Sequence, residues 1–143
     1  MKKSILYTFL FLTSSLYAIA QSPVGTWKTI DDNSGEARSH VEIYEQNGRF
    51  FGKISKLLKS EPGVVCDECK GDKKDKPVLG LVIIENLQAN KDYWKGGTIL
   101  DPESGNDYNC SIWFEDGNTE VLKVRGKHWT GLYRTQTWYR VKG

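Results

Sequence analysis

Hydrophobic and polar residues alternate along short segments of this chain, and clusters of turn-forming residues separate these segments. The clearest segment is Asp107–Glu115, whose apolar face carries Cys110 and Phe114. A period of two indicates a β-strand with one buried face. No stretch combines a 3.6-residue period with helix caps. The best helical candidate, Leu81–Ala89, has too many consecutive apolar positions and fits a buried strand better.

The pattern predicts eight strands, most of them joined by short loops. Asn47-Gly48 is the strongest turn signal because both positions tolerate positive φ, and a polar loop covers Lys59–Pro77. Eight successive antiparallel strands are typical of an up-and-down barrel or a sandwich, and a closed barrel has no exposed edges. We therefore expect an all-β, eight-stranded antiparallel barrel. The predicted strands are Val24–Ile30, Ala37–Tyr44, Arg49–Leu57, Val78–Ile84, Tyr93–Leu100, Asp107–Glu115, Thr119–Arg125 and Tyr133–Val141.

The first 20 residues have the pattern of a secretory signal peptide. Lys2 and Lys3 precede a mostly apolar run, and Ala18-Ile19-Ala20 is a small-x-small cleavage motif. We expect cleavage after Ala20, which leaves one domain over residues 21–143 in the periplasm or outside the cell. No second long apolar stretch follows, so we expect no membrane span in the mature chain.

The charge of the mature chain argues against one class of partner. The 143 residues contain 20 Lys and Arg and 18 Asp and Glu, and two of the lysines lie in the predicted leader. Residues 21–143 therefore carry no net charge, and nucleic-acid binding, which depends on basic excess, is not expected. The length fits one domain, which we expect to be monomeric.

Cys66-Asp67-Glu68-Cys69 is the most conspicuous chemical feature of the sequence. Export to an oxidising compartment favours a disulfide, and we favour Cys66–Cys69 with Cys110 buried and reduced. Pairing of Cys69 with Cys110 would close a longer loop and is the alternative pairing. Two free thiols in a mobile loop would not survive oxidation.

Catalytic and metal-binding interpretations of the cysteines have less support. Thiol redox enzymes place their motif at a helix N-terminus in a βαβ unit, which this pattern lacks. Zinc would need two more ligands, and only Cys110, His40, His128 and carboxylates are available. No nucleophile elbow, phosphate loop or metalloprotease motif is present. We therefore expect no cofactor, no metal and no enzymatic activity.

Several segments resemble known families. Gly25-Thr26-Trp27 resembles the Gly-x-Trp opening of lipocalins, in which the Trp plugs one end of the barrel. More of the chain resembles a bacterial secreted family named domain of unknown function 2147 (DUF2147). That resemblance implies a small lipocalin-like barrel outside the cytoplasm, with no established activity. The matching segments are Pro23–Thr29, Val41–Tyr44, Gly52–Ile54, Cys66–Asp72, Lys76–Gly80, Trp94–Pro102, Tyr108 with Cys110, Leu122–Gly126 and Arg134–Trp138.

The expected function is binding of a small apolar or amphipathic molecule inside the barrel. Alternation places Arg134, Gln136 and Trp138 on one face of the last strand, but both faces are amphipathic, and exposure of Arg134 is the simpler expectation. The alternatives are a protein-interaction or envelope-stress module with a packed interior and, less favoured, a thiol-based or hydrolytic enzyme. The candidate wall residues are Trp27, Phe114, Arg134, Gln136 and Trp138.

Overall fold

The computed structural model describes residues 21–143 and contains the predicted closed barrel. The predicted signal peptide, residues 1–20, lies outside the described residues. All neighbouring strands pair antiparallel in sequence order, and β8 pairs with β1 to close the sheet. In residues 21–143, no helix is long and apolar enough to cross a membrane. The strands are β1 (Gly25–Ile30), β2 (Ala37–Gln46), β3 (Arg49–Leu57), β4 (Val82–Asn90), β5 (Tyr93–Asp101), β6 (Asn106–Glu115), β7 (Asn118–Lys127) and β8 (Tyr133–Arg140).

The predicted boundaries of the fourth strand, Val78–Ile84, are wrong. The strand begins at Val82 and continues to Asn90. The Val78 N–H donates to the Val64 carbonyl oxygen at 3.0 Å, and the Leu81 N–H donates to the Val78 carbonyl oxygen at 3.1 Å. Residues 78–81 therefore form the folded end of a loop. This end also bonds to β3, because the Gly80 N–H donates to the Ile54 carbonyl oxygen at 2.7 Å and the Ile54 N–H donates to the Leu81 carbonyl oxygen at 3.0 Å.

The two ends of the barrel differ in their connections. At one end, which we call the closed end, tight turns join β2 to β3, β4 to β5 and β6 to β7. The predicted turn Asn47-Gly48 is one of them, with φ of 52° and 75°. At the other end, the open end, lie residues 31–36, 58–81, 102–105 and 128–132. The longer loops therefore all surround one mouth.

Four aromatic rings fill the lumen near the closed end. Ring centroids lie 6.1 Å apart for Phe50 and Trp94, 5.6 Å for Trp94 and Phe114, and 6.2 Å for Trp27 and Phe114. All four side chains are buried. Edge-on and tilted contacts of this kind suit the ring quadrupole, and the large apolar area gives the barrel a solid floor.

Arg140 covers the Trp27 ring of this floor. Its guanidinium lies 4.3 Å from the centroid of the Trp27 ring and donates to the carbonyl oxygens of Val24, at 3.0 Å, and Thr119, at 2.9 Å. The Trp27 indole N–H donates to the Pro23 carbonyl oxygen at 2.8 Å. Trp27 near the start of β1 and Arg140 at the end of β8 thus hold the segment before β1 across the closed end.

Arg140→Lys should lower the free energy of unfolding by about 1–3 kcal/mol, because Lys keeps the charge but loses the planar stacking and the forked donors. Arg134→Lys is the matched control on the same strand, since its side chain is 71% exposed. It should change stability by less than about 0.5 kcal/mol. Urea unfolding followed by tryptophan fluorescence measures both. Equal effects of the two substitutions would contradict the role given to Arg140.

Residues 58–81, which we call the mouth loop, fold against the turn between β5 and β6. Cys66 and Cys69 form a disulfide in this loop, with 5.3 Å between their Cα atoms, and both are buried. The Cys66 sulfur lies 3.4 Å from the Pro102 carbonyl oxygen. At Gly105, whose φ is +70°, an added Cβ would collide with the Glu68 carbonyl oxygen. The disulfide-bonded segment Cys66–Cys69 therefore packs directly against the backbone of the turn between β5 and β6.

Gly105→Ala should destabilise the protein more than Gly117→Ala. Both glycines have nearly equal φ, +70° and +72°, but the space beside Gly117 is empty. Gly117→Ala should cost about 1 kcal/mol for the left-handed backbone, and Gly105→Ala at least about 1 kcal/mol more for the collision. Denaturant midpoints with unchanged m-values test this. Indistinguishable midpoints would show that the mouth loop is not docked as described.

Candidate ligand-binding cavity

A cavity of about 950 Å³ occupies the barrel above the aromatic floor. Its walls are inward-facing side chains of the strands, and its rim is made by the loops of the open end. Cavities that hold one small molecule span roughly 300–1,000 Å³. Eight-stranded barrels of this type can hold such a ligand. The lower half of the lumen is filled by side chains, and the upper half has room for a molecule.

One side of the cavity is apolar. Strands β3, β4 and β5 contribute Ile54, Ile83 and Ile99 to the wall. The mouth loop adds Val64 and Val65 above them. The backbone of this loop is held by an isolated bridge between Val65 and Pro77 and by the disulfide, so the apolar side extends beyond the ends of the strands.

The opposite side is polar. Thr29 of β1 and Ser39 of β2 point inward, and their hydroxyl oxygens lie 2.8 Å apart. On β8 the Trp138 indole N–H donates to Gln136 Oε1 at 3.1 Å, and Gln136 Nε2 donates to the Asp32 carboxylate at 2.9 Å. This chain of hydrogen bonds runs from the buried Trp138 to the rim.

The rim carries paired charges. Arg134 Nε lies 3.5 Å from Asp32, and Arg38 forms an ion pair with Glu103. Backbone N–H groups of Ser34 and Asn33, with Lys59, hold the pKa of Asp31 at about 2, so this carboxylate is ionised at neutral pH. Arg134, Arg38 and Asp31 thus each bond to another charged side chain or to the loop backbone.

The structure brings some predicted wall residues together and separates others. Arg134, Gln136 and Trp138 all line the cavity, so the Trp138 face of β8 is the inner face. Trp27 and Phe114 are in the floor cluster and not on the cavity wall. Ligand contact by any of them stays a prediction.

The buried hydroxyl pair was absent from the predicted wall residues. A signal for it exists in the sequence, because Thr29 is two residues from Trp27 and Ser39 is two residues from Val41, so each shares a face with a core residue. The apolar residues of the mouth loop carry no such periodic signal, because a loop has no fixed alternation.

Cys110 is a buried free thiol on the inner face of β6. Burial raises its pKa to about 12. A raised thiol pKa favours the neutral form, and the thiolate is the reactive species. In the region described, no group of three or more His, Cys, Asp or Glu side chains is placed to hold a metal ion.

Iodoacetamide at pH 8 should label native protein at least about 100-fold more slowly than protein unfolded in guanidinium chloride. With a pKa of about 12, only about one Cys110 thiol in ten thousand is ionised at this pH. Cys66 and Cys69 should stay unlabelled in the absence of a reductant. Mass spectrometry after digestion assigns the label. Rapid labelling of native Cys110 would contradict its burial and would reopen thiol chemistry.

The closed eight-stranded barrel, plugged at one end and hollow at the other, has a lipocalin-like fold. Residues 25–140 match the family described as "Uncharacterized protein conserved in bacteria (DUF2147)", and the chain belongs to this family. The predicted family is confirmed. No curated protein matches the chain.

One solved structure shares the fold. It is described as "Protein HP1028 from the human pathogen Helicobacter pylori belongs to the lipocalin family". The TM-score is 0.73 and the identity 19%, over 85% of this chain and 84% of that one. At this identity the likeness shows the fold alone.

Proposed function

We propose that this protein binds one small apolar or amphipathic molecule in the barrel cavity, outside the cytoplasm, and does not act as an enzyme. The observation that carries the proposal is the cavity of about 950 Å³ above a solid aromatic floor. If the lumen served only to stabilise the fold, we would expect side chains to fill it, because each buried void loses packing energy. An open cavity that combines apolar side chains with a few placed polar groups instead favours a ligand.

Export is supported by two independent features. The leader pattern of residues 1–20 is one, and it predicts a mature chain that begins at Gln21. The disulfide between Cys66 and Cys69 is the other, because such bonds persist in oxidising compartments. The mass of protein purified from its own periplasm or medium tests the cleavage site.

Val124→Phe tests occupation of the cavity, because Val124 faces inward on β7 and lines the wall. The uncharged dye N-phenyl-1-naphthylamine, which fluoresces in apolar surroundings, serves as the probe. The larger side chain should weaken dye binding at least about tenfold by filling the space the dye needs.

The matched control is Val121→Phe, the same change on the outer face of the same strand, where Val121 pairs with Tyr139. This variant should bind the dye as the unmodified protein does. Native mass spectrometry of the exported protein adds a second readout, with an expected co-purifying small molecule. Absence of dye binding, or equal binding by both variants, would reject the proposal.

An interaction module is the second candidate, and exposed apolar residues favour it. Trp129 and Leu132, in the loop between β7 and β8, are 87% and 76% exposed. Large exposed apolar side chains in one loop often mark a binding surface. The packed interior expected of such a module is not what the barrel contains, so ligand binding is the better-supported function.

A further inference from the structure

We propose that the ligand is a rigid amphiphile whose uncharged polar groups lie along one side, rather than a single-chain amphiphile with an acidic head. This inference rests on the proposed function and names the class of ligand. It is carried by the division of the cavity into an apolar and a polar wall and by the excess of carboxylates over cations among the described residues of the lining, which include five carboxylates and two guanidiniums.

The two walls face each other across the lumen. In a closed eight-stranded barrel, each strand lies across from the strand four places further round. Thr29 on β1 and Gln136 on β8 therefore lie across from β5 and β4, which present Ile99 and Ile83. The polarity of the cavity therefore changes from one side of the lumen to the other. A linear amphiphile has its polar group at one end and does not match this division.

The polar wall retains hydrogen-bonding capacity. The hydroxyl oxygens of Thr29 and Ser39 lie 2.8 Å apart, and Thr29 Oγ1 also donates to the Ser39 carbonyl oxygen at 3.4 Å, so this pair retains acceptor lone pairs for a ligand. Gln136 uses one amide N–H on Asp32 and one lone pair on the Trp138 indole, which leaves a second N–H and a second lone pair. These neutral groups fit hydroxyl, carbonyl or amide groups of a ligand.

The charges at the rim disfavour an anionic ligand. Arg134 and Arg38 already pair with Asp32 and Glu103. Asp31, Asp67 and Asp101 add three more carboxylates to the lining. A fatty-acid carboxylate at either guanidinium would lie among these carboxylates, whose negative charge opposes a further anion.

Four probes separate shape from charge. Methyl cholate and cholate share a rigid body with hydroxyls on one face and differ in charge, and 1-dodecanol and laurate are the corresponding single-chain pair. Titrations follow tryptophan fluorescence, because Trp138 lines the cavity. Methyl cholate should bind at least about tenfold more tightly than each of the other three. Equal or tighter binding of 1-dodecanol, laurate or cholate overturns the inference.

Two double variants test the polar wall. Thr29→Val with Ser39→Ala removes both hydroxyls together, which leaves neither partner unsatisfied, and should weaken methyl cholate binding by about fivefold to tenfold. Binding of N-phenyl-1-naphthylamine should stay within about twofold, which also shows that the cavity is intact. The control variant, Thr26→Val with Ser111→Ala, makes the same changes outside the cavity lining. It should change the binding of neither methyl cholate nor the dye. Unchanged methyl cholate binding by the first variant overturns the inference.

The outcomes distinguish the two proposals. If Val124→Phe weakens dye binding but the protein shows no preference for methyl cholate, the proposed function stands and the rigid amphiphile is rejected. Failure of the dye to bind rejects the proposed function and, with it, the inference that rests on it.

Discussion

The pairing of β8 with β1 is the interaction on which the rest of the structure depends, because it turns a sheet with two edges into a barrel with a lumen. The seam is short: Trp27 pairs with Arg140, and Lys28 pairs with Tyr139. Side chains of β8 strengthen it at both ends. Arg140 bonds to the N-terminal segment below, and Gln136 bonds to Asp32 in the loop above. Closure thus relies on specific side-chain donors as well as on the backbone ladder.

Closure also creates the difference between the two ends. Inward positions near the tight turns hold Trp27, Phe50, Trp94 and Phe114, whose rings together fill the width of the barrel. Near the loops some inward positions hold small residues, among them Thr29, Ser39 and Gly126, and no aromatic cluster crosses the lumen in the described region. The volume of the side chains therefore decides which half of the lumen is solid and which half is hollow.

The mouth loop connects stability to the site. Its disulfide-bonded segment Cys66–Cys69 packs against the turn between β5 and β6, and Val64 and Val65 of the same loop line the cavity. A segment that reads as a polar connection in the sequence therefore supplies part of the apolar wall. Ordering a loop costs conformational entropy. Here the disulfide and the backbone contact at Gly105 restrict the conformations of the mouth loop.

The amino-acid sequence by itself determined the strand count and the turn at Asn47-Gly48, because period-two alternation and turn chemistry are local properties. The plug at Trp27 was implied by the resemblance of Gly25-Thr26-Trp27 to lipocalins, and the structure places this ring in the floor of the barrel. The sequence also indicated that Arg134, Gln136 and Trp138 share a face. Only the tertiary structure decided that this face points inward, since closure and neighbouring strands, not alternation, assign a side to an amphipathic strand. The two-sided polarity of the cavity is likewise a tertiary property, because strands β1 and β5 meet across the lumen only when β8 returns to β1.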